Sequence, residues 1–352
     1  MKKLLMLFIL GLMTACSFQV DVLEPQPSAS ALPTSPTSIS FATSTPAILT
    51  PASTATSSPT DTPSPVPPVT SGPSNSSGII PIVFDPNATS QTIRGDLAEG
   101  ASQTYSLTAF EGQVMSVSLL PDKAALQNSY QLEIRGRDGS VLCPLKDYSC
   151  FFWRGALPST QEYRIKVLAQ AGGEFSMRVA INPPGTVSQM FSYADPDGQF
   201  SLTYPDTFAP VHFTGAESTK IPPDFSLQYI DTQQFISTNL NEVYFLLGAS
   251  DDPQIVSTCT QPLSFGGPEN VLGETTINDI PFTKSEATGV GAGNVYEQVY
   301  YRTIYNGSCY EITYFVHYGN IGNYTPGSVS EFDRTALYQQ LDEILASLIL
   351  KS

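Results

Sequence analysis

Basic residues, histidine and tryptophan are all scarce in this 352-residue chain: 16 Lys and Arg stand against 32 Asp and Glu, with two His and one Trp. The formal net charge is -16, and no basic cluster interrupts it. Contact with a phosphate backbone needs grouped cations, so a nucleic-acid partner is excluded and electrostatic docking onto anionic lipid is disfavoured. Signatures of catalysis are missing too. The chain has no His-Glu-x-x-His, no Gly-x-Ser-x-Gly, no Ser-x-x-Lys motif with its partners and no phosphate-cradling Gly-x-x-x-x-Gly-Lys. His212 and His317 stand far apart in sequence with no motif beside either. The expectation is a non-enzyme, with no catalytic residue, no cofactor and no metal.

Long apolar runs are also lacking. The run Leu4 to Met13 follows Lys2 and Lys3 and covers ten residues, whereas a spanning helix needs roughly 20. It reads as a signal peptide over residues 1–15. It ends in Met13-Thr14-Ala15-Cys16, which resembles the lipobox of bacterial lipoproteins, with Cys16 as the lipid-attachment residue; an ordinary secreted protein cut nearby is the alternative. Cleavage before Cys16 removes two lysines and takes the charge from -16 to -18. At about 0.8 kcal/mol per buried methylene, a diacylglyceryl group with a further acyl chain such as palmitate gives stable attachment. The expected address is the cell membrane or outer membrane, lipid-anchored and extracytoplasmic.

From Glu24 to Gly78 the chain is Pro, Ser, Thr and Ala, with Glu24 and Asp61 as its only charges. Such a segment cannot bury enough apolar surface to offset its ordering entropy. Residues 16–78 therefore read as a disordered tether, whose stretch of about 55 residues from Glu24 to Gly78 would reach on the order of 170 Å at most if wholly polyproline-like, at about 3.1 Å per residue.

At Ile79 the pattern changes to short alternating stretches separated by turn signals. Strands are expected at Thr92 to Leu97, Thr104 to Ala109, Val114 to Leu120, Tyr130 to Arg135, Tyr163 to Ala169 and Phe175 to Ile181, which makes residues 79–184 a β-sandwich. Tyr163, Ile165 and Val167 share the inward parity. Within this stretch Ile93-Arg94-Gly95-Asp96-Leu97, Gly112-Gln113-Val114, Gly139-Ser140-Val141 and Gly155-Ala156-Leu157-Pro158 through Tyr163 resemble the prepeptidase carboxy-terminal (PPC-like) domain. The bacterial inhibitors of goose-type lysozyme look related. The resemblance implies a sandwich, and an activity does not travel with a fold.

Residues 189–352 follow a different order. Phe200 to Pro205 is a strand after the Asp197-Gly198 turn, and Glu242 to Gly248 is another. Asp252-Pro253 caps a short helix expected to reach about Thr260. Val295 to Tyr305 and Cys309 to Tyr318 flank Asn306-Gly307, a hairpin signal. Asp333 caps a helix whose Leu337, Leu341, Ile344, Leu345 and Leu348 recur at the helical period. With Gly198-x-Phe200-Ser201-Leu202-x-Tyr204-Pro205, Cys309-Tyr310-Glu311-Ile312 and Phe332-Asp333, this half resembles the Mog1/PsbP-like α/β sandwich of uncharacterised bacterial lipoproteins. The fold class is thus multidomain: an all-β sandwich, then an α+β sandwich with an antiparallel sheet.

With Cys16 lipidated, four cysteines remain and three pairings are possible. Cys143 with Cys150 and Cys259 with Cys309 keep each disulfide inside one half, and the second closes a loop contributing on the order of 4 kcal/mol. A metal site is the rival reading, and Cys143-x6-Cys150 with no nearby His is poorly spaced for one. Asp195-Pro196-Asp197-Gly198 resembles the start of a calcium loop, but Tyr204 stands where the distal Glu belongs; a tight turn is the simpler account. Phe151-Phe152-Trp153 offers Phe151 and Trp153 as candidate ligand contacts, by stacking on a sugar or anchoring a protein. A core strand with Phe152 inward is the competing reading.

The function expected from all this is a membrane-anchored extracytoplasmic lipoprotein that binds an unidentified protein or glycan, inhibition of a lysozyme being one specific form. The alternatives are an extracytoplasmic hydrolase with its site between the two halves and a passive component of an envelope complex.

Overall fold

The computed structural model describes residues 78–143, 151–186, 188–213, 215, 219–263 and 268–351. The leader, Cys16, the tether up to residue 77 and Cys150 lie outside the described residues.

Alternating apolar residues in the first half become β1 (Ile79–Pro81), β2 (Ser90–Leu97), β3 (Ser102–Ala109), β4 (Val114–Pro121), β5 (Tyr130–Gly136), β6 (Val141–Cys143), β7 (Phe152–Ala156), β8 (Gln161–Ala169) and β9 (Gly173–Asn182). They form a sheet ordered β1-β3-β8-β5-β6 and a second ordered β2-β9-β4-β7. All pairs are antiparallel except β1 with β3. The inward set Tyr163, Ile165 and Val167 of one sheet meets Met115, Val117, Met177 and Val179 of the other in a single core. Period two accounts for the result: each strand spends every second residue on the interface between the sheets.

The second half contributes β10 (Met190–Ala194), β11 (Phe200–Pro205), β12 (Phe208–Pro210), β13 (Phe225–Tyr229), α1 (Thr232–Ser237), β14 (Leu240–Ser250), α2 (Pro253–Ser257), β15 (Asn270–Ile277), β16 (Ile280–Gly291), β17 (Asn294–Tyr305), β18 (Ser308–Gly319), α3 (Arg334–Ala346) and β19 (Ile349–Leu350). One sheet is ordered β12-β13-β14-β18-β17-β16-β15, and a small one β10-β11-β19. The β17–β18 hairpin turns on Asn306 and Gly307, both at positive φ, as a primed two-residue turn requires. Asp333 accepts a hydrogen bond from Ala336 N at 2.9 Å, and α3 then lays Leu337, Leu341, Ile344 and Leu345 on the Tyr310, Ile312, Tyr314 and Val316 face of the larger sheet. The chain is therefore a β-sandwich followed by an antiparallel α+β sandwich.

Two local expectations change. The helix after Asp252 stops at Ser257, because Thr258 folds back and its N–H bonds to the carbonyls of Ile255 and Val256, which leads Cys259 into its disulfide. In β7 the inward residue is Trp153, at 6% exposure, and Phe152 is only half-buried.

Candidate functional site

The two halves meet along a polar seam. Arg154 on β7 directs Nη2 to Asp206 Oδ1 at 3.2 Å and Nη1 to Asp231 Oδ2 at 3.3 Å. Asp206, in the turn after β11, also accepts from the Asn182 side chain at the end of β9. Asp231 caps α1 by accepting from Gln233 N at 3.1 Å. Arg178 on β9 donates to the Tyr204 hydroxyl and lies 4.3 Å from the Phe191 ring centroid, a cation–π contact.

Beside this seam is a cavity of about 390 Å³, lined by Arg94, Asp96, Leu120, Pro121, Asp122, Glu174, Phe175, Ser176 and His212. His212 arrives from the second half and its Nε2–H donates to Pro121 O at 2.8 Å, which commits that nitrogen to a backbone carbonyl. An adjoining cavity of about 360 Å³ shares Asp96, Asp122 and Glu174 and adds Lys123 and Leu126. The acids are brought together by strand pairing. Asp96 on β2 is directly opposite Glu174 on β9, and Asp122 N donates to Glu174 O at 3.0 Å. Like charges facing each other across an antiparallel pair are destabilising, by roughly 0.2–1 kcal/mol. Phe175 forms part of the floor, and Gly95 makes room for it: a Cβ there would come within 2.6 Å of the ring.

Sequence reasoning missed these acids, because Asp96, Asp122 and Glu174 converge only once the β2-β9-β4 order is known. It also missed Arg154, Asp206 and Asp231. A second charged group has the buried side chains of Arg302, Glu269 and Glu311 at its centre. Arg302 on β17 donates Nε to Glu311 Oε2 at 2.5 Å and pairs with Glu269; Lys220 N donates to Glu311 Oε1 at 2.6 Å, and Lys220 Nζ donates to the carbonyls of Thr258 and Gln261, each at 2.6 Å. Burial works to raise the Glu269 carboxyl, but hydrogen bonds from Arg302, Leu263 N and Ser285, with the Arg302 charge, outweigh it and hold its pKa below the ordinary value. This cluster is a fastening for the segments laid over the sheet.

The residues singled out from sequence take these places. Cys259 and Cys309 are bonded to each other, Cα atoms 5.6 Å apart. Cys143 is disulfide-bonded and buried at the end of β6, while its expected partner Cys150 lies outside the described residues. Trp153 packs in the sandwich core, which corrects its candidacy as a surface ligand contact: β7 pairs with β4 so that Trp153 shares the inward face with Val117. Phe151 is half-buried ahead of β7. Asp195 to Gly198 is the β10–β11 turn, where the Asp195 carboxylate accepts from Gln199 N at 3.0 Å. Among the described residues no group of three His, Cys, Asp or Glu is placed to hold a metal, and no helix is long and apolar enough to cross a membrane.

No family model and no curated protein matches this chain. Solved structures do match over part of its length. One is the PliG protein of Aeromonas hydrophila, a periplasmic inhibitor of g-type lysozyme, at 21% identity over 30% of this chain and 96% of that one, with a TM-score of 0.23. The pre-peptidase C-terminal domain of collagenase from Bacillus anthracis matches at 11% identity, over 31% and 98% of the two chains, with a TM-score of 0.22. The cyanobacterial PsbP of Synechocystis sp. PCC 6803 matches at 12% identity, over 48% and 96%, with a TM-score of 0.27.

Proposed function

We propose that this chain is a lipid-anchored extracytoplasmic protein that works by binding, without catalysis, and that the seam cavity receives a cationic group presented by a partner protein. The observation that carries the reading is the opposition of Asp96 and Glu174 across β2 and β9, with Asp122 next to them. A like-charged pair held at the mouth of a cavity is a cost in the empty protein, and a bound ammonium or guanidinium removes it. The floor of Leu120, Pro121 and Phe175 suits the aliphatic stem that carries such a charge. The address rests on the lipobox ending in Cys16, and the Cys259–Cys309 disulfide supports it, since disulfides persist in oxidising compartments.

Titration of tri-lysine into the full chain tests the site. The expected result is saturable binding that weakens as salt is raised and is lost in an Asp96→Asn, Glu174→Gln double variant; absence of binding, or equal binding by the double variant, contradicts the reading. Inhibition of a goose-type lysozyme is the specific form that the sequence resemblance brings, and PliG of Aeromonas hydrophila is such an inhibitor. A turbidity assay with the full chain decides that form: protection of the cell-wall substrate supports it, and undiminished lysis removes it.

A further inference from the structure

The larger sheet of the second half treats its two faces differently. One is sealed by α3. On the other, the cover that the described residues form lies over one end: Leu246, Tyr300, Arg302, Glu311 and Thr313 are buried there, beneath segments fastened by the Cys259–Cys309 bond and by Lys220. Among the described residues, burial lessens one residue pair further along β18. The next outward residues, Phe315 and His317, are half-buried, as are their neighbours Tyr244 on β14 and Tyr296 and Gln298 on β17.

Register arranges this open end in two adjacent rows. One runs Gln228, Tyr244, Phe315, Gln298 across β13, β14, β18 and β17. The next runs Glu242, His317, Tyr296, Gly289 across β14, β18, β17 and β16. Tyr244 and Phe315 have ring centroids 6.0 Å apart, Phe315 and Tyr296 6.4 Å, and Tyr296 stacks on His317 at 4.4 Å and 15°. Phe213 abuts Tyr244 edge-on at 5.0 Å. The rings are held in place: His317 Nδ1 is 3.3 Å from Glu242 Oε2 and its Nε2 3.1 Å from Asn294 Oδ1. Opposite Tyr296 stands Gly289, where an added Cβ would meet the Tyr296 Cβ at 3.8 Å; glycine places no side chain at this position of the row.

We infer that this open end of the sheet is a carbohydrate-binding platform. A pyranose presents an apolar C–H face with a rim of hydroxyls. Contiguous rings interleaved with the amides of Gln228 and Gln298 and the carboxylate of Glu242 match both parts. An added peptide strand has no place here, because β14, β18 and β17 are interior strands paired on both sides. An acyl chain needs an unbroken apolar groove, and the amides and the carboxylate interrupt this one. The platform shares no residue with the seam cavity and does not depend on its reading.

The test is a titration of the full chain with cellotetraose, chitotetraose and mannotetraose. At least one tetramer is expected to bind, with affinity reduced at least tenfold by Tyr296→Ala and by Phe315→Ala, kept by the ring-preserving Tyr296→Phe, and kept by the Asp96→Asn, Glu174→Gln variant. Circular dichroism confirms that each variant is folded, and Tyr296→Phe serves as the comparison if an alanine variant is not. No binding of any tetramer overturns the proposal, as does binding that is indifferent to both ring deletions or equally weakened by Tyr296→Phe.

Discussion

Arg154 and Asp206 join the two halves of the molecule through a 3.2 Å ion pair in which the Asp206 side chain is 0% exposed and that of Arg154 12%. A carboxylate so far from water is tolerable only because Arg154 and Asn182 both bond to it. Asp206→Ala leaves Arg154 with Asp231 alone and Asn182 without its acceptor. Removing one partner of a buried pair costs about 3–5 kcal/mol. The expected outcome is a lower urea midpoint, with the single transition separating into two as the halves uncouple; an unchanged single transition would show that the seam is held by other contacts.

Arg302→Met leaves Glu269 and Glu311 buried together without their cation. The loss expected is again about 3–5 kcal/mol, and replacing both acids by Leu in the same chain restores much of it, measurable by denaturant unfolding. Wild-type stability should also fall in acid. The folded Glu269 pKa is below its unfolded value, so its contribution is complete above the unfolded value of about 4.3 and is lost as pH falls through the lower folded value. Unfolding midpoints taken from neutral pH down to strongly acidic pH check the sign.

Alkali acts through tyrosine. Burial pushes up the pKa of Tyr204, Tyr229, Tyr244, Tyr300, Tyr314 and Tyr338, and burial followed by the Asp96 charge pushes Tyr130 to about 12. Raised folded values mean that their contribution is intact below the unfolded value of about 10 and is lost as pH rises through the folded ones. Phenolate absorbance should therefore appear in two phases, exposed tyrosines first and the buried set together with loss of the folded circular-dichroism signal. A single smooth titration with the fold intact would contradict this.

Cys259 and Cys309 are 50 residues apart in sequence. Paired replacement by Ser should cost about 2–5 kcal/mol, seen as a lower unfolding midpoint that reducing agent shifts less than it shifts the wild-type midpoint, since the Cys143 disulfide remains reducible in both.

The sandwich was largely legible from sequence because its strands obey period two with glycine turns between them: all six expected strands form, most with a residue or two added at the ends. Asn306-Gly307 and Asp333 were equally readable, since a primed turn and a helix cap are decided within four residues. The parity of Phe151-Phe152-Trp153 was not, because all three are apolar and only pairing with β4 chooses a face. The β15–β16 hairpin went unseen; β15 is exposed on both faces from Asn270 to Glu274 and so carries no alternation there. The candidate site was illegible for a related reason. Asp96, Asp122 and Glu174 look like ordinary strand-end acids until three strands bring them side by side.

Glu174→Gln offers the most direct measurement of the central claim, that Asp96 and Glu174 are held in opposition for a cationic partner. Natural binding sites are kept at a cost in stability, so removing one of the opposed charges should raise the free energy of unfolding by roughly 0.2–1 kcal/mol while tri-lysine binding disappears. A variant that is less stable than wild type, or that still binds tri-lysine as tightly, would contradict the account.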